Sequence, residues 1–116
     1  MTGIERIARE RQRQIEVEGW TATHDDGHVY GEMALAAACY ATPILLYRFE
    51  NSYVNRLEFV DPWPEEWRDW DKRPYPCGGN VVGRNCDLPV TKRIRQLEKA
   101  GALIAAEIDR LQREAK

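Results

Sequence analysis

The C-terminal stretch from about Asp87 to Glu114 limits the fold most. Beyond Pro89 it contains no proline. Its residues Ile94, Leu97, Gly101, Ile104, Ile108 and Leu111 follow one another at alternating spacings of three and four. That repeat lines one side of an α-helix and forms a heptad seam. Pro89 suits a helical first turn, where its missing N–H is not needed. Ala100, Ala102, Leu103, Ala105 and Ala106 widen the seam with mostly small side chains. A long amphipathic helix needs something to pack against, and Met33 to Ala41 supplies it. Ala34, Ala36, Ala37, Ala38 and Ala41 give that tract small faces, while Met33, Leu35, Cys39 and Tyr40 add bulk. It is apolar nearly all round, as a central helix is. The seam is expected to pack antiparallel on this helix; it also offers a surface through which two copies of the chain can pair.

The remaining segments fit around these two helices. A first helix is expected from about Gly3 to Glu18. It is opened by the capping box of Thr2 and Glu5 and closed by Gly19. Ile4, Ile7, Ala8 and Ile15 form a thin apolar stripe on an otherwise charged helix, and Trp20 folds back onto the core. Pro43 ends the alanine-rich helix near Thr42. Ile44 to Phe49 is a further helical piece or a strand. Residues 51–86 read as an irregular insertion, broken by Pro62, Pro64, Pro74 and Pro76. Within it, Pro64 to Trp70 can form a short helix with Trp67 and Trp70 on one face. With Trp63, these rings either cap the core or wall a site for a nucleobase or a partner. Cys77 to Cys86, rich in glycine and asparagine, is a hairpin or an exposed flap. Residues 1–116 therefore form a single all-α domain, a small helical bundle with a long Trp/Pro-rich insertion.

A net charge of −2 argues against a global pull toward nucleic acid. The longest mostly apolar run, Met33 to Tyr47, is too short to span a bilayer. The N-terminus has no apolar signal region, and three cysteines are an odd number. Together these suggest a reducing, cytoplasmic setting and no membrane partner.

Chemistry concentrates in His24-Asp25-Asp26-Gly27-His28-Val29-Tyr30-Gly31-Glu32, which holds both histidines of the chain and three carboxylates. Thr23 and Asp26 are spaced as a capping box, and acids in a first turn suit the helix dipole. The histidines need another reason. If the helix begins at Thr23, His24, His28 and Glu32 share one face, a chelating arrangement. If it begins near Gly27, the pairing of His28 with Glu32 persists. Gly27 and Gly31 leave room for a ligand or a neighbouring backbone. His24, Asp25, His28 and Glu32 are the candidate metal ligands, and Trp20, Asp26 and Lys99 the candidate ligand-binding residues. Such a set suits Mn²⁺, Zn²⁺ or Fe²⁺ at least as well as Mg²⁺.

Three tracts carry a resemblance: Glu18-Gly19-Trp20-Thr21; His24-Asp25-Asp26 with His28 and Gly31-Glu32-Met33-Ala34; and Lys99 through Leu111. Over residues 4–41 and 94–113 the chain resembles a family of small phage and prophage proteins. More distantly, its layout is similar to the all-α nucleoside triphosphate pyrophosphohydrolases of the MazG type. That resemblance implies a divalent metal, a nucleotide, a homo-oligomer and the cytoplasm of a bacterial host. The chain departs from the MazG-type acid pattern. Glu32 stands alone on its helix, Glu107 and Asp109 are two apart, and Glu98 lies on another side of the last helix. Three functions stay open. The first is a nucleotide-binding protein that sequesters its ligand or blocks a host factor. The second is a metal-dependent nucleotide hydrolase, with His24 or a carboxylate activating water and Lys99 neutralising phosphate. The third is a structural helical dimer.

Overall fold

The computed structural model describes residues 1–51, 57–74 and 83–115; for 48–51 and 57–60 it describes the backbone alone. Helix α1 spans Gly3–Glu16. Its capping box forms as expected, with the Glu5 N–H donating to the Thr2 hydroxyl and the Thr2 N–H donating to the Glu5 carboxylate. It ends two residues before the expected Glu18. Gly19 takes the left-handed conformation at φ 75°. The reversal brings Trp20 back, and its N–H donates to the Gln14 carbonyl at 3.0 Å.

Helix α2 is the single turn-and-a-half Ala22–Asp26, and α3 spans Glu32–Ala41. Both expected starts, at Thr23 and near Gly27, are corrected. Thr21 is the N-cap, extended immediately after the Gly19 reversal, and its hydroxyl accepts the His24 N–H at 3.5 Å. Nor does a single helix run from His24 through Glu32. Gly27 closes α2, and Gly31, at φ 80°, opens α3 from a left-handed backbone that side chains with a Cβ avoid.

After α3 the chain forms a two-stranded antiparallel hairpin, β1 Arg48–Asn51 and β2 Leu57–Val60, with Phe49 opposite Phe59. So the tract left as helix or strand is irregular to Tyr47 and then a strand, and the hairpin lies partly within the expected insertion. A 3₁₀ turn follows at Glu65–Trp70, kinked at Trp67. It takes the place of the regular helix expected at Pro64 to Trp70. Trp63 and Trp67 are buried against Met33, Cys39 and Tyr40. The Trp63 indole donates to the Trp67 carbonyl at 2.9 Å. The Arg73 guanidinium covers the Trp63 ring at 4.7 Å while pairing with Asp61 and Asp71. These two tryptophans therefore complete the core. Of the hairpin or flap expected over Cys77 to Cys86, residues 77–82 lie outside the described residues; Cys86 is exposed in a 3₁₀ turn, Asn85–Asp87.

The last helix, α4, spans Val90–Glu114 with Pro89 as its N-cap. It runs antiparallel to α3: Arg93, near its start, reaches the end of α3, and Arg113, near its end, reaches α2. The antiparallel partnership is as expected, but the contact face is not. Ala100, Leu103 and Ala106 of α4 pack with Met33, Ala36, Ala37 and Tyr40 of α3. Four of the six seam residues face outward, with Leu97, Ile104, Ile108 and Leu111 between 43% and 51% exposed, while Ile94 and Gly101 are half-buried. Small residues decide this. Alanine on both helices lets α3 and α4 approach closely, which the bulkier isoleucine row would prevent. Gly101 has a different neighbour from the one expected. A Cβ there would lie 2.6 Å from Cδ1 of Ile7, so this glycine admits α1 rather than α3.

The carboxyl end of α3 is closed by groups distant in sequence. Arg93 donates to the Tyr40 carbonyl at 2.8 Å and also to that of Ala41. Asn85 donates to Cys39 at 3.4 Å and Thr42 at 2.8 Å, and is itself held by Gln96 at 2.9 Å. Carbonyls that a helix end leaves without partners are thus satisfied in the core. Between α1 and α4, buried Glu10 lies against both Arg13 and Arg95. Burial opposes its charge, but the two guanidinium groups outweigh burial and hold the carboxyl below its usual range. Among the described residues, no helix is long and apolar enough to cross a membrane.

Replacing Arg93 with Ala leaves buried carbonyls of α3 without donors. It should cost about 2–3 kcal/mol, read as a lower urea midpoint, whereas Lys92→Ala on the exposed side should stay within about 0.5 kcal/mol.

Candidate functional site

The site is built where α2 meets the start of α3. Arg11 of α1 reaches across, donating to Asp25 at 2.7 Å and to the Trp20 carbonyl at 3.3 Å. Asp25 is fully buried, so this pair fixes α2 against α1. The second Asp25 oxygen lies 3.1 Å from Nδ1 of His24. His28, in the turn after α2, has its Nδ1 3.1 Å from one Glu32 oxygen, while the other accepts the Tyr30 N–H at 2.6 Å. The two Nε2 atoms face each other at 3.4 Å. The four residues therefore form a line, Asp25–His24–His28–Glu32, with imidazoles at its centre and carboxylates at its ends.

Tryptophans enclose the imidazoles. Trp20 stacks parallel on His24 at 5.8 Å, Trp67 meets His28 edge-on at 5.2 Å, and Trp70 lies 5.7 Å from His24. The imidazoles keep about a fifth of their side-chain surface exposed, so solutes can reach them. Trp67 is only 2% exposed, and its indole N–H has no acceptor among the described residues.

Trp20 and Trp70 also border a cavity of about 80 Å³, whose walls include Glu10, Gln14, Tyr40, Lys72, Lys99 and Leu103. A space of this order holds a few waters or a group as small as a phosphate. Gln14 is 1% exposed, and its side-chain oxygen has no donor among the described residues. The Lys99 ammonium lies 5.6 Å over the Tyr40 ring. Among the described residues no carboxylate lies within ion-pair distance of it. Burial is the main cause that pushes the Lys99 amine below its usual value; Arg95 adds to this and Glu10 opposes it. Burial pushes the Tyr40 phenol up to about 12.

The expected residues thus divide. His24, Asp25, His28 and Glu32 come together, but not as four ligands around one point. Each carboxylate is turned to an imidazole Nδ1 and to another donor, Arg11 or the Tyr30 N–H. Among the described residues, no group of three or more His, Cys, Asp or Glu side chains is arranged to hold a metal ion. Trp20 and Lys99 share the cavity. Asp26 is elsewhere: it is exposed and pairs with Arg113 at 2.8 Å. Sequence reasoning missed Glu10, Gln14, Tyr40 and Lys72. One signal was present. Ile7, Glu10 and Gln14 follow at spacings of three and four, so two polar residues continue an apolar face inward. No family model matches the chain, and no curated protein or solved structure matches it.

Because the folded state lowers the Lys99 pKa, the unfolded chain binds this proton more tightly. The penalty is full below the folded value and fades as pH rises toward the ordinary lysine value, about 10.4. Lys99→Met should therefore raise the melting temperature at pH 7, with a smaller gain at pH 10, measured by circular dichroism.

Proposed function

We propose that the protein binds a phosphorylated, ring-containing ligand of nucleotide type and does not turn it over. The observation that carries this is the cavity, which gathers three unmet demands. The desolvated Lys99 ammonium has no ion-pair partner among the described residues and suits a phosphate or other anion. The buried Gln14 oxygen wants a donor, such as an amine on a ring. Trp20, Trp70 and Tyr40 offer faces for stacking. Trp70 is 40% exposed and Lys72 is exposed, so the cavity opens where a larger ligand can extend. Binding without turnover is favoured over a MazG-type hydrolysis because two glutamates of α4 are engaged elsewhere. Glu98 pairs with Arg6 and Arg95, and Glu107 with Arg110. Sequestering a nucleotide, or using the complex to block a host factor, is the role that follows from this reading.

A panel of nucleoside mono-, di- and triphosphates, screened by melting temperature and then by calorimetry, tests the reading. At a ligand concentration of about 100 times Kd, binding adds about 2.7 kcal/mol of stability. Gln14→Leu and Lys99→Met should each weaken binding at least tenfold. No response to any member would overturn the proposal. Recovery of the ligand as hydrolysis products would replace binding with the hydrolase reading.

The outward seam of α4 favours a homo-oligomer as well. Antiparallel pairing of two α4 helices through Leu97, Ile104, Ile108 and Leu111, all exposed in the single chain, buries Ile104 at the centre. Light scattering should show a dimer for the native chain and a monomer for Ile104→Glu; a native monomer at high micromolar concentration would exclude the pairing.

A further inference from the structure

We propose that His24 and His28 hold one divalent transition-metal ion of the zinc class between their Nε2 atoms, with Asp25 and Glu32 acting behind them as orienting groups rather than ligands. The proposal stands apart from the ligand cavity, although Trp20 and Trp70 border both.

The hydrogen bonds assign the tautomers. One Asp25 oxygen accepts from Arg11 at 2.7 Å and the other is turned to His24, so both are placed as acceptors. Nδ1 of His24, 3.1 Å from the second, must then be the N–H donor. Glu32 accepts the Tyr30 N–H with one oxygen, and its other oxygen lies 3.1 Å from Nδ1 of His28. Nδ1 of His28 is likewise the donor. In the neutral imidazoles both protons are therefore on Nδ1, and both Nε2 atoms carry bare lone pairs. Yet these atoms are the ones that face each other, 3.4 Å apart. Two opposed lone pairs repel, and a cation shared between them removes the repulsion.

The dimensions suit a metal. Two imidazole nitrogens on a tetrahedral zinc ion, each about 2.0–2.1 Å from it, are separated by about 3.4 Å. A carboxylate accepting the distal N–H is the usual outer partner of a metal-bound histidine, fixing its ring and raising its basicity. Here both imidazoles have one. The donor set is wrong for Mg²⁺, which prefers oxygen, and right for Zn²⁺, Co²⁺ or Ni²⁺. The remaining positions of the ion are left for water or an oxygen of a bound molecule. The Trp67 indole N–H beside His28 has no acceptor among the described residues, and such an oxygen would supply one.

The rival occupant of the gap is a proton. Titrating EDTA-dialysed protein with Zn²⁺ in a calorimeter, and following the imidazole ¹⁵N resonances, separates the two. The expected result is one Zn²⁺ per chain, a shift of both Nε2 resonances with both Nδ1 protons retained, and a visible absorption of tetrahedral type when Co²⁺ replaces Zn²⁺. His24→Gln and His28→Gln should each weaken Zn²⁺ at least tenfold, and Glu32→Gln by about 10–100-fold. Melting curves in EDTA show whether each variant still folds. If a histidine variant does not fold, the resonances of the native chain decide alone. Absence of heat and of resonance shifts with both Zn²⁺ and Co²⁺ up to millimolar concentration would overturn the proposal. So would Zn²⁺ binding that survives loss of both histidines.

Discussion

The close approach of α3 and α4 is the contact on which the rest of this structure depends. It requires small residues on both helices, and Ala36, Ala37, Ala100 and Ala106 provide them, each no more than 3% exposed. It also requires that the buried end of α3 not leave carbonyls without partners. Arg93 and Asn85 meet that need from the start of α4 and the turn before it. Polar caps and apolar contact are thus one device: the same register that buries Leu103 against α3 delivers Arg93 to Tyr40 and Ala41. A slip of α4 by one turn would lose both at once.

That pairing also fixes the site at the opposite end of α3. Glu32 stands in the first turn of α3, while Arg113 near the end of α4 holds Asp26 of α2. Arg11 holds Asp25 from α1. The five-residue α2 is too short to be a stable helix alone. It is held by these two arginines and by the Thr21 cap. The imidazoles are therefore presented by a segment whose position is set by three other helices. A rigid frame under a short polar segment is the arrangement that a binding site needs.

Much of the architecture could be read in the chain because it rests on local rules. The Thr2–Glu5 box, the Gly19 stop and the proline-bounded α4 depend on a few neighbouring residues. The orientation of α4 could not be read that way. Its isoleucine seam is the more hydrophobic face, yet the alanine face is buried, since contact distance rather than hydrophobicity chose the partner. The helix cap at Thr21 was missed because Thr23 offers the same chemistry two residues later. Only the backbone reversal at Gly19 tells them apart. At the site, the pairing of His28 with Glu32 survived the break at Gly31, because a turn can bring side chains four apart as near as a helix does. The roles of Asp25 and Glu32 were hidden, since Arg11 and the Tyr30 N–H draw on those carboxylates from outside the motif. Gln14 and Tyr40 reach the cavity only through the tertiary fold.

The tryptophans connect these observations. Trp63 and Trp67 belong to the core, as large rings usually do. Trp20 and Trp70 do not finish there. One face of Trp20 stacks on His24, and both rings also border the Lys99 cavity. They therefore form a shared wall between a polar line and a cationic pocket. Complete burial of these two rings would stabilise the bundle more. The aromatic area left at this boundary, the desolvated Lys99 and the Gln14 oxygen without a donor among the described residues are what favour the proposed ligand site over a well-packed surface.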